Sequence, residues 1–149
     1  MHINFNLTKK ILAWYDNNKR TLPWRVGKKS SNLLYYRVLS EFMLQQTQVK
    51  TVIPYFKLFT KKFRSLESLS KAKEGKVLKL WEGLGYYRRA RNLLATSKIL
   101  VKQYRSKLPE DIDTIKTLPG IGDYTSNVLI ALIYNKPTLA FDGNVKRII

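Results

Sequence analysis

The 149 residues include no cysteine and only one histidine, His2. Without cysteine there can be no disulfide, thiolate nucleophile or thiolate metal site, and the composition fits a reducing compartment. The lone histidine sits beside the N-terminus, a poor place for acid–base catalysis. Acids are scarce as well: 10 Asp and Glu stand against 28 Lys and Arg, a formal net charge of +18. The longest apolar run, Val128 to Tyr134, falls far short of the roughly 20 residues that span a bilayer. The opening MHINFNLTKK lacks the apolar core of a secretion signal. A soluble, cytoplasmic chain with no membrane partner is expected. No linker, low-complexity tract or internal repeat divides it, and its length allows one domain with a genuine core.

What the sequence has in excess is positive charge, and that charge is clustered. Between Tyr86 and Lys107 lie Arg88, Arg89, Arg91, Lys98, Lys102, Arg105 and Lys107, with no acid among them. Such a segment favours a polyanionic partner, most simply nucleic acid, whose phosphates release counterions on binding. A generally basic proteome is the alternative.

Helical periodicity dominates, and no segment alternates as a strand would, so an all-α fold is predicted. The strongest pattern runs from Tyr86 to Tyr104, where Tyr86, Ala90, Leu93, Leu94, Ser97, Leu100, Val101 and Tyr104 recur at spacings of three and four. Further helices are expected over Thr8–Asn18, Asn32–Gln46, Gln48–Lys62, Glu74–Glu82, Glu110–Thr117 and Asp123–Asn135. Pro54 should bend or restart the helix that contains it. In the closing DGNVKRII, Asp142 fits the cap of a helix whose pattern runs barely two turns before the chain stops, which reads as a fragment, with an end that merely frays as the alternative.

Two stretches carry chemistry. "LPGIGDYTSNVLIAL" (118–132) places a Pro-Gly-x-Gly turn between helical segments, so that glycine amides and the unpaired N–H groups of the next helix can approach a phosphate. Helix-hairpin-helix DNA-binding modules look like this, with Leu118 or Ile121 as the apolar anchor. An ordinary helix–helix turn is the alternative. Asp123 would repel phosphate and is read as a cap directed away from DNA. The other stretch is "VLSEFMLQQTQV" (38–49), in which Glu41 lies at the edge of a stripe formed by Leu34, Tyr35, Val38, Leu39, Phe42 and Met43. Burial there would raise its pKa and let it hold a donatable proton near neutrality. Taken alone, Glu41 also fits a solvated boundary residue.

The blocks "LPWR" (22–25), "SEFMLQQTQVKTVIPYF" (40–56), "LWEGLGYYRRARNL" (80–93), "LPGIG" (118–122) and "DGNVKR" (142–147) occur in an order and spacing that resembles the A/G-specific adenine DNA glycosylases, the MutY family. The resemblance spans almost the whole chain. It implies an all-α bundle of the helix-hairpin-helix glycosylase type with DNA in a cleft between two helical subdomains. Residues about 30–136 would form a six-helix core with its hairpin at 118–122, while 1–20 and 137–149 would belong to the second subdomain. The implied activity is monofunctional excision of adenine opposite 8-oxoguanine or guanine in duplex DNA, by a monomer.

The resemblance also implies roles. Glu41 matches the proton donor to adenine, and Asp142 the carboxylate that stabilises the oxocarbenium-like sugar, with Asn144 beside it. Tyr124 stands where bifunctional relatives resembling endonuclease III carry a Schiff-base lysine. Arg20, Trp24 and Arg25 match the surroundings of the adenine, although core packing would equally explain Trp24. Gln45, Gln46, Thr47, Tyr86, Arg88, Leu118, Gly120, Ile121 and Gly122 match the DNA-binding surface, with Gln46 and Tyr86 inserting into the duplex; Tyr86 also fits the apolar face of its helix. Arg88, Arg89 and Arg91 are divided between phosphate contacts and a solvated face.

Two departures stand out. "VGKKSSNLLYYRVL" (26–39) is longer than the family's usual segment and lacks its proline. The family's four cysteines for a [4Fe–4S] cluster and its C-terminal 8-oxoguanine-reading domain would lie beyond Ile149, so this chain holds no metal ligands. The N-terminal helix would then leave Ile11, Leu12, Trp14 and Tyr15 exposed. An endonuclease III-like glycosylase and lyase, and an inactive DNA-binding fragment, are the competing readings.

Overall fold

A computed structural model of the chain describes residues 5–148. Among these residues the regular structure is entirely helical: α1 (Phe5–Asn18), α2 (Leu33–Leu44), α3 (Val49–Lys62), α4 (Leu66–Ser70), α5 (Glu74–Trp81), α6 (Arg88–Tyr104), α7 (Ile112–Lys116), α8 (Asp123–Tyr134) and α9 (Gly143–Ile148). None of these helices is long and apolar enough to cross a membrane.

The bundle is organised around α2, which packs on α3, α6 and α8, while α4 and α5 close over α6 and α7 pairs with α8. The reason lies in the composition of α2. Tyr35, Val38, Leu39, Phe42 and Met43 are all buried, as the stripe predicts, and each fully buried large side chain stabilises the fold by about 1.5–3 kcal/mol relative to exposure. The same core takes in Val52, Phe56 and Phe59 of α3, Trp81 of α5, and Leu93 and Leu100 of α6. Edge-to-face ring contacts join Phe59 to Trp81 (5.7 Å) and Tyr36 to Phe56 (5.1 Å). The Tyr35 hydroxyl donates to the Phe63 carbonyl at 2.8 Å, which satisfies a polar group that burial otherwise penalises.

Three local features differ from the sequence-based expectation. Helix α3 does not restart at Pro54: it runs continuously through it, held by the burial of Val52, Phe56 and Phe59 on either side of the lost amide donor. Helix α4 went unpredicted because five residues are too few to show a period; its signal was the reciprocal Ser65/Ser68 capping box. Helix α6 begins at Arg88, so Tyr86 is not on its apolar face: it precedes the helix with φ 47° and is 66% exposed.

Charge placement brings a further correction. Arg89 is neither a phosphate contact nor a solvated cation, being only 7% exposed. Its guanidinium donates to the carbonyls of Phe42, Met43 and Gln45 at the end of α2, and to those of Leu84 and Gly85 in the turn before α6. It also lies over the rings of Trp81 (5.4 Å) and Tyr86 (5.6 Å). The last carbonyls of a helix have no partners within it, and here an arginine from a neighbouring helix supplies donors. Arg91 instead pairs with Glu74 at 3.0 Å on the surface.

As expected for α1, its apolar side chains are uncovered, with Ile11 57% and Trp14 66% exposed. We predict that Arg89→Met, which leaves several buried carbonyls without donors, destabilises the fold by about 3 kcal/mol or more. Urea unfolding of both proteins checks this, and a loss below about 1 kcal/mol would contradict the role assigned to the guanidinium.

Candidate active site

Helix α2 is so apolar that its one carboxylate is drawn partly into the core with it. Glu41 is half-buried, and its pKa rises to about 7, chiefly because burial disfavours the charged form; the Arg37 charge one turn earlier pulls the other way. Glu41 therefore holds its proton close to neutral pH. It forms part of the wall between two cavities. A pocket of about 540 Å³ is lined by Arg20, Trp24, Arg25, Arg37, Glu41 and Leu44, among others. A cleft of about 290 Å³ is lined by Glu41, Leu44, Gln45, Gln46, Tyr124 and Asp142.

Asp142 reaches the cleft from the start of α9. Its Oδ1 accepts the backbone N–H of Val145 (2.8 Å) and of Asn144 (2.9 Å), and the Asn144 amide approaches Oδ2 at 3.4 Å. The Val145 and Asn144 hydrogen bonds, with Arg147 nearby, hold its carboxyl below the usual range. So Asp142 is the helix cap that the sequence predicted and also faces the same cleft as Glu41. Asn144 in turn accepts from the Arg147 guanidinium. Tyr124, near the start of α8, lines the cleft, and its hydroxyl is pushed up by burial and by the two carboxyl groups.

The pocket residues divide by role. Trp24 is only 4% exposed and stands edge-on to Phe56 at 5.3 Å, yet it also lines the pocket, so it is both core and wall. Arg25 donates to the Arg20 carbonyl at 2.8 Å and lies over the Tyr15 ring at 5.9 Å. Arg20 is exposed at the rim.

Gln45, Gln46 and Thr47 form the turn that ends α2. The Gln45 amide donates to the Gly120 carbonyl at 3.2 Å, tying this turn to the hairpin, and Thr47 N–H closes onto the Leu44 carbonyl at 3.2 Å. Gln46 is left-handed (φ 56°) and exposed, as is Tyr86 (φ 47°). Both line one small cavity together with Arg88, Arg89 and Asn92. Two side chains forty residues apart are thus placed side by side, with the Arg89 guanidinium between their backbones.

The hairpin joins α7 to α8. Leu118 and Ile121, 3% and 5% exposed, are buried anchors and not surface contacts; an apolar side chain in a tight turn gains more from the core than from water. Gly120 has φ +77°, and a Cβ there would lie 2.7 Å from Phe42 Cε1 and 2.9 Å from Asn92 Cβ, so only glycine fits. Gly122 has open space on its Cβ side and occupies the N-cap of α8. Asp123 is therefore not the cap: it is the first residue of the helix and pairs with Lys116 at 2.7 Å, which neutralises its charge beside the turn.

Sequence reasoning missed Arg37 and Leu44 in the walls. Each lies one turn or less from Glu41 on the same helix, so the spacing of i−4 and i+3 was available as a signal. With no cysteine in the chain and no cluster of metal-binding side chains among the described residues, these residues do not fit an iron–sulfur group.

A small helical bundle with a Gly-rich hairpin turn, and with Glu41 and Asp142 lining one cleft, has the architecture of a helix-hairpin-helix protein. Residues 39–149 match the HhH-GPD superfamily base excision DNA repair proteins, and the chain belongs to that family. Its sequence is 43% identical over 140 residues to the adenine DNA glycosylase of Buchnera aphidicola subsp. Baizongia pistaciae, covering 93% of this chain and 39% of that protein. It is 38% identical over 146 residues to the adenine DNA glycosylase of Rattus norvegicus, covering 95% of this chain and 28% of that one. The chain thus spans well under half the length of these curated relatives. The fold resembles a thermostable thymine-DNA glycosylase (TM-score 0.82, 23% identity, 96% of this chain and 64% of that one). It also resembles endonuclease III in a trapped covalent DNA complex (TM-score 0.77, 20% identity, 99% and 68%).

Two predictions follow from the geometry. The Glu41 pKa is raised on folding, so the stability tied to it is complete below about 4.5 and is lost as pH rises through about 7. Glu41→Gln should therefore match the parent near pH 4 and exceed it at pH 8 by roughly 2–3 kcal/mol in urea unfolding; an equal difference at both pH values would refute a buried, proton-holding Glu41. Gly120→Ala should lower stability by about 2 kcal/mol or more through its close contacts and positive φ. Thermal unfolding reads that directly, and an unchanged midpoint contradicts it.

Proposed function

We propose that this chain is the catalytic core of a monofunctional adenine DNA glycosylase, acting as a monomer on adenine opposite 8-oxoguanine or guanine in duplex DNA. The observation that carries the reading is the pairing of Glu41, proton-holding near neutrality, with the ionised Asp142 in one cleft, next to a pocket large enough for a base. Environments that push two carboxyl groups apart in pKa assign acid and anion roles to them. The adenine DNA glycosylase relatives supply the base.

In this reading the adenine leaves the stack, because its glycosidic bond is inaccessible inside the duplex. Arg20, Trp24 and Arg25 surround it with an indole and guanidinium groups. Glu41 transfers its proton to adenine N7, which makes the base a better leaving group. As the C–N bond breaks, positive charge grows on the sugar, and Asp142 lowers the barrier by electrostatic attraction or transient attachment until water adds to the sugar carbon and loses a proton, leaving an abasic site. Asn144 steadies Asp142. Tyr124 has no amine to form a Schiff base, which favours base excision without strand cleavage. Gln46 and Tyr86, exposed side by side, would fill the gap left by the extruded nucleotide. The N–H groups at the start of α8 would hold a phosphate with Gly120 and Gly122 close by, and Arg88 would add charge.

The test is a duplex with one adenine opposite 8-oxoguanine, incubated with the chain and divided between hot alkali and none. Strand scission only after alkali is expected; scission without alkali would mean a lyase, and binding with neither would leave a DNA-binding module. Glu41→Gln should abolish release while duplex affinity stays within a few fold, and Asp142→Asn should slow it roughly 100-fold or more.

A further inference from the structure

We propose that Arg37 is a positioning residue for the proton transfer: one helical turn before Glu41 and lacking an acceptor of its own, its guanidinium stabilises the carboxylate that Glu41 becomes when its proton leaves. This rests on the function proposed above and assigns a role to a residue that the resemblance does not.

Arg37 lines the same pocket as Glu41 and is half-buried. Its Nε is shut off from solvent without a hydrogen-bond partner, and its side chain makes no hydrogen bond or ion pair among the described residues. A guanidinium has five donors; here the Nε is buried without a partner while the terminal nitrogens stay open to solvent, so an anion arriving during function finds donors free. Among the described residues, the only acid in the pocket wall is Glu41, four positions later on the same face of α2, where side chains are neighbours. The two are not ion-paired, as expected if Glu41 is protonated. The other cations in the pocket are engaged or peripheral: Arg25 is held by the Arg20 carbonyl and Tyr15, and Arg20 is exposed at the rim.

The proton balance shows where the charge goes. The O–H bond of Glu41 breaks, a new N–H bond forms on the base, and the electron pair stays on the Glu41 carboxylate. The base then departs with the C–N pair. At that moment an anion appears where burial penalises it. The groups facing it are Arg37 on its own helix, Arg20 and Arg25 from the segment before α2, Tyr15 of α1, Tyr124 of α8 and Asp142 at the start of α9. Tyr124 and Asp142 offer no positive charge, so the unpaired Arg37 is the cation left to compensate it.

Carboxyl-carbon NMR of the whole chain, with Glu41→Gln to identify the signal, follows the titration of Glu41 in the parent, Arg37→Met and Arg37→Lys. In Arg37→Met the midpoint should move up by roughly half a pH unit or more, which is what a unit charge at side-chain distance contributes even at high dielectric. Arg37→Lys keeps the charge and should stay near the parent, and it supplies the comparison if the Met variant folds poorly. Adenine release by Arg37→Met should peak lower and decline at higher pH than release by the parent. An unmoved midpoint in Arg37→Met, or an equal shift in both variants, overturns the proposal. If the parent releases no adenine while the midpoint moves as expected, the proposed function fails and the coupling of Arg37 to Glu41 is supported; release by the parent with an unmoved midpoint sinks the Arg37 proposal alone.

Discussion

The arrangement of this domain depends on one buried guanidinium at the C-terminal end of α2. Helix ends leave carbonyls unpaired, and an end placed in a protein interior must find donors or lose stability. Arg89 provides them from α6, and it simultaneously holds the Leu84 and Gly85 carbonyls of a second turn. This double attachment fixes where α2 stops, and hence where Glu41, one turn from that end, sits. It also sets two non-glycine residues, Gln46 and Tyr86, in left-handed backbone next to each other. Such conformations cost energy and persist where surrounding contacts over-determine them. The strain therefore falls on the two exposed side chains proposed to enter DNA.

From that fixed end the site acquires its chemical asymmetry. Glu41 projects from a helix whose apolar stripe is buried in the core and loses water on folding, so its proton is retained. Asp142 belongs to a short helix with no buried residue, and backbone N–H groups favour its charged form. The same functional group is thus pushed in opposite directions by location alone. The hairpin is tied to both arms of this arrangement: Gln45 bonds the Gly120 carbonyl, Thr96 of α6 bonds the Pro119 carbonyl at 2.9 Å, and Gly120 sits against Phe42 of α2. A phosphate held at the hairpin would therefore be referenced to the helix that carries the acid.

Much of this was legible in the residues because it rests on local rules. The stripe of α2 follows from three- and four-residue spacing, the Asp142 cap from an Asp before a short periodic run, and the glycine demand at 120 from a Pro-Gly-x-Gly turn. What escaped depends on tertiary neighbours. Arg89 lies in a run of cations, and nothing in Arg-Arg-Ala-Arg says which one turns inward; only the positions of Leu84 to Gly85 and of the α2 terminus decide it. Tyr86 continues the helical period on paper, yet the turn anchored by Arg89 starts the helix two residues later. Asp123 is a common capping type, but Gly122 before it takes the cap and Lys116 of α7, adjacent only after folding, takes its charge.

The strong positive charge of the chain creates a conflict that the local geometry resolves. A field that gathers phosphates raises the energy of a sugar that is becoming cationic. Under the proposed function, bound DNA screens much of the basic surface with its own phosphates, and what remains near the reaction is set by groups within a few ångströms. There Asp142 supplies the negative charge on the cleft side and Arg37 the positive charge on the pocket side, with Glu41 between them in the shared wall. As the proton moves towards the base in that reading, the carboxylate would form beside the pocket that Arg37 lines and the cationic sugar beside the cleft that Asp142 lines. Both developing charges thus meet a fixed partner of opposite sign, which is the condition for lowering the barrier without binding the resting substrate more tightly.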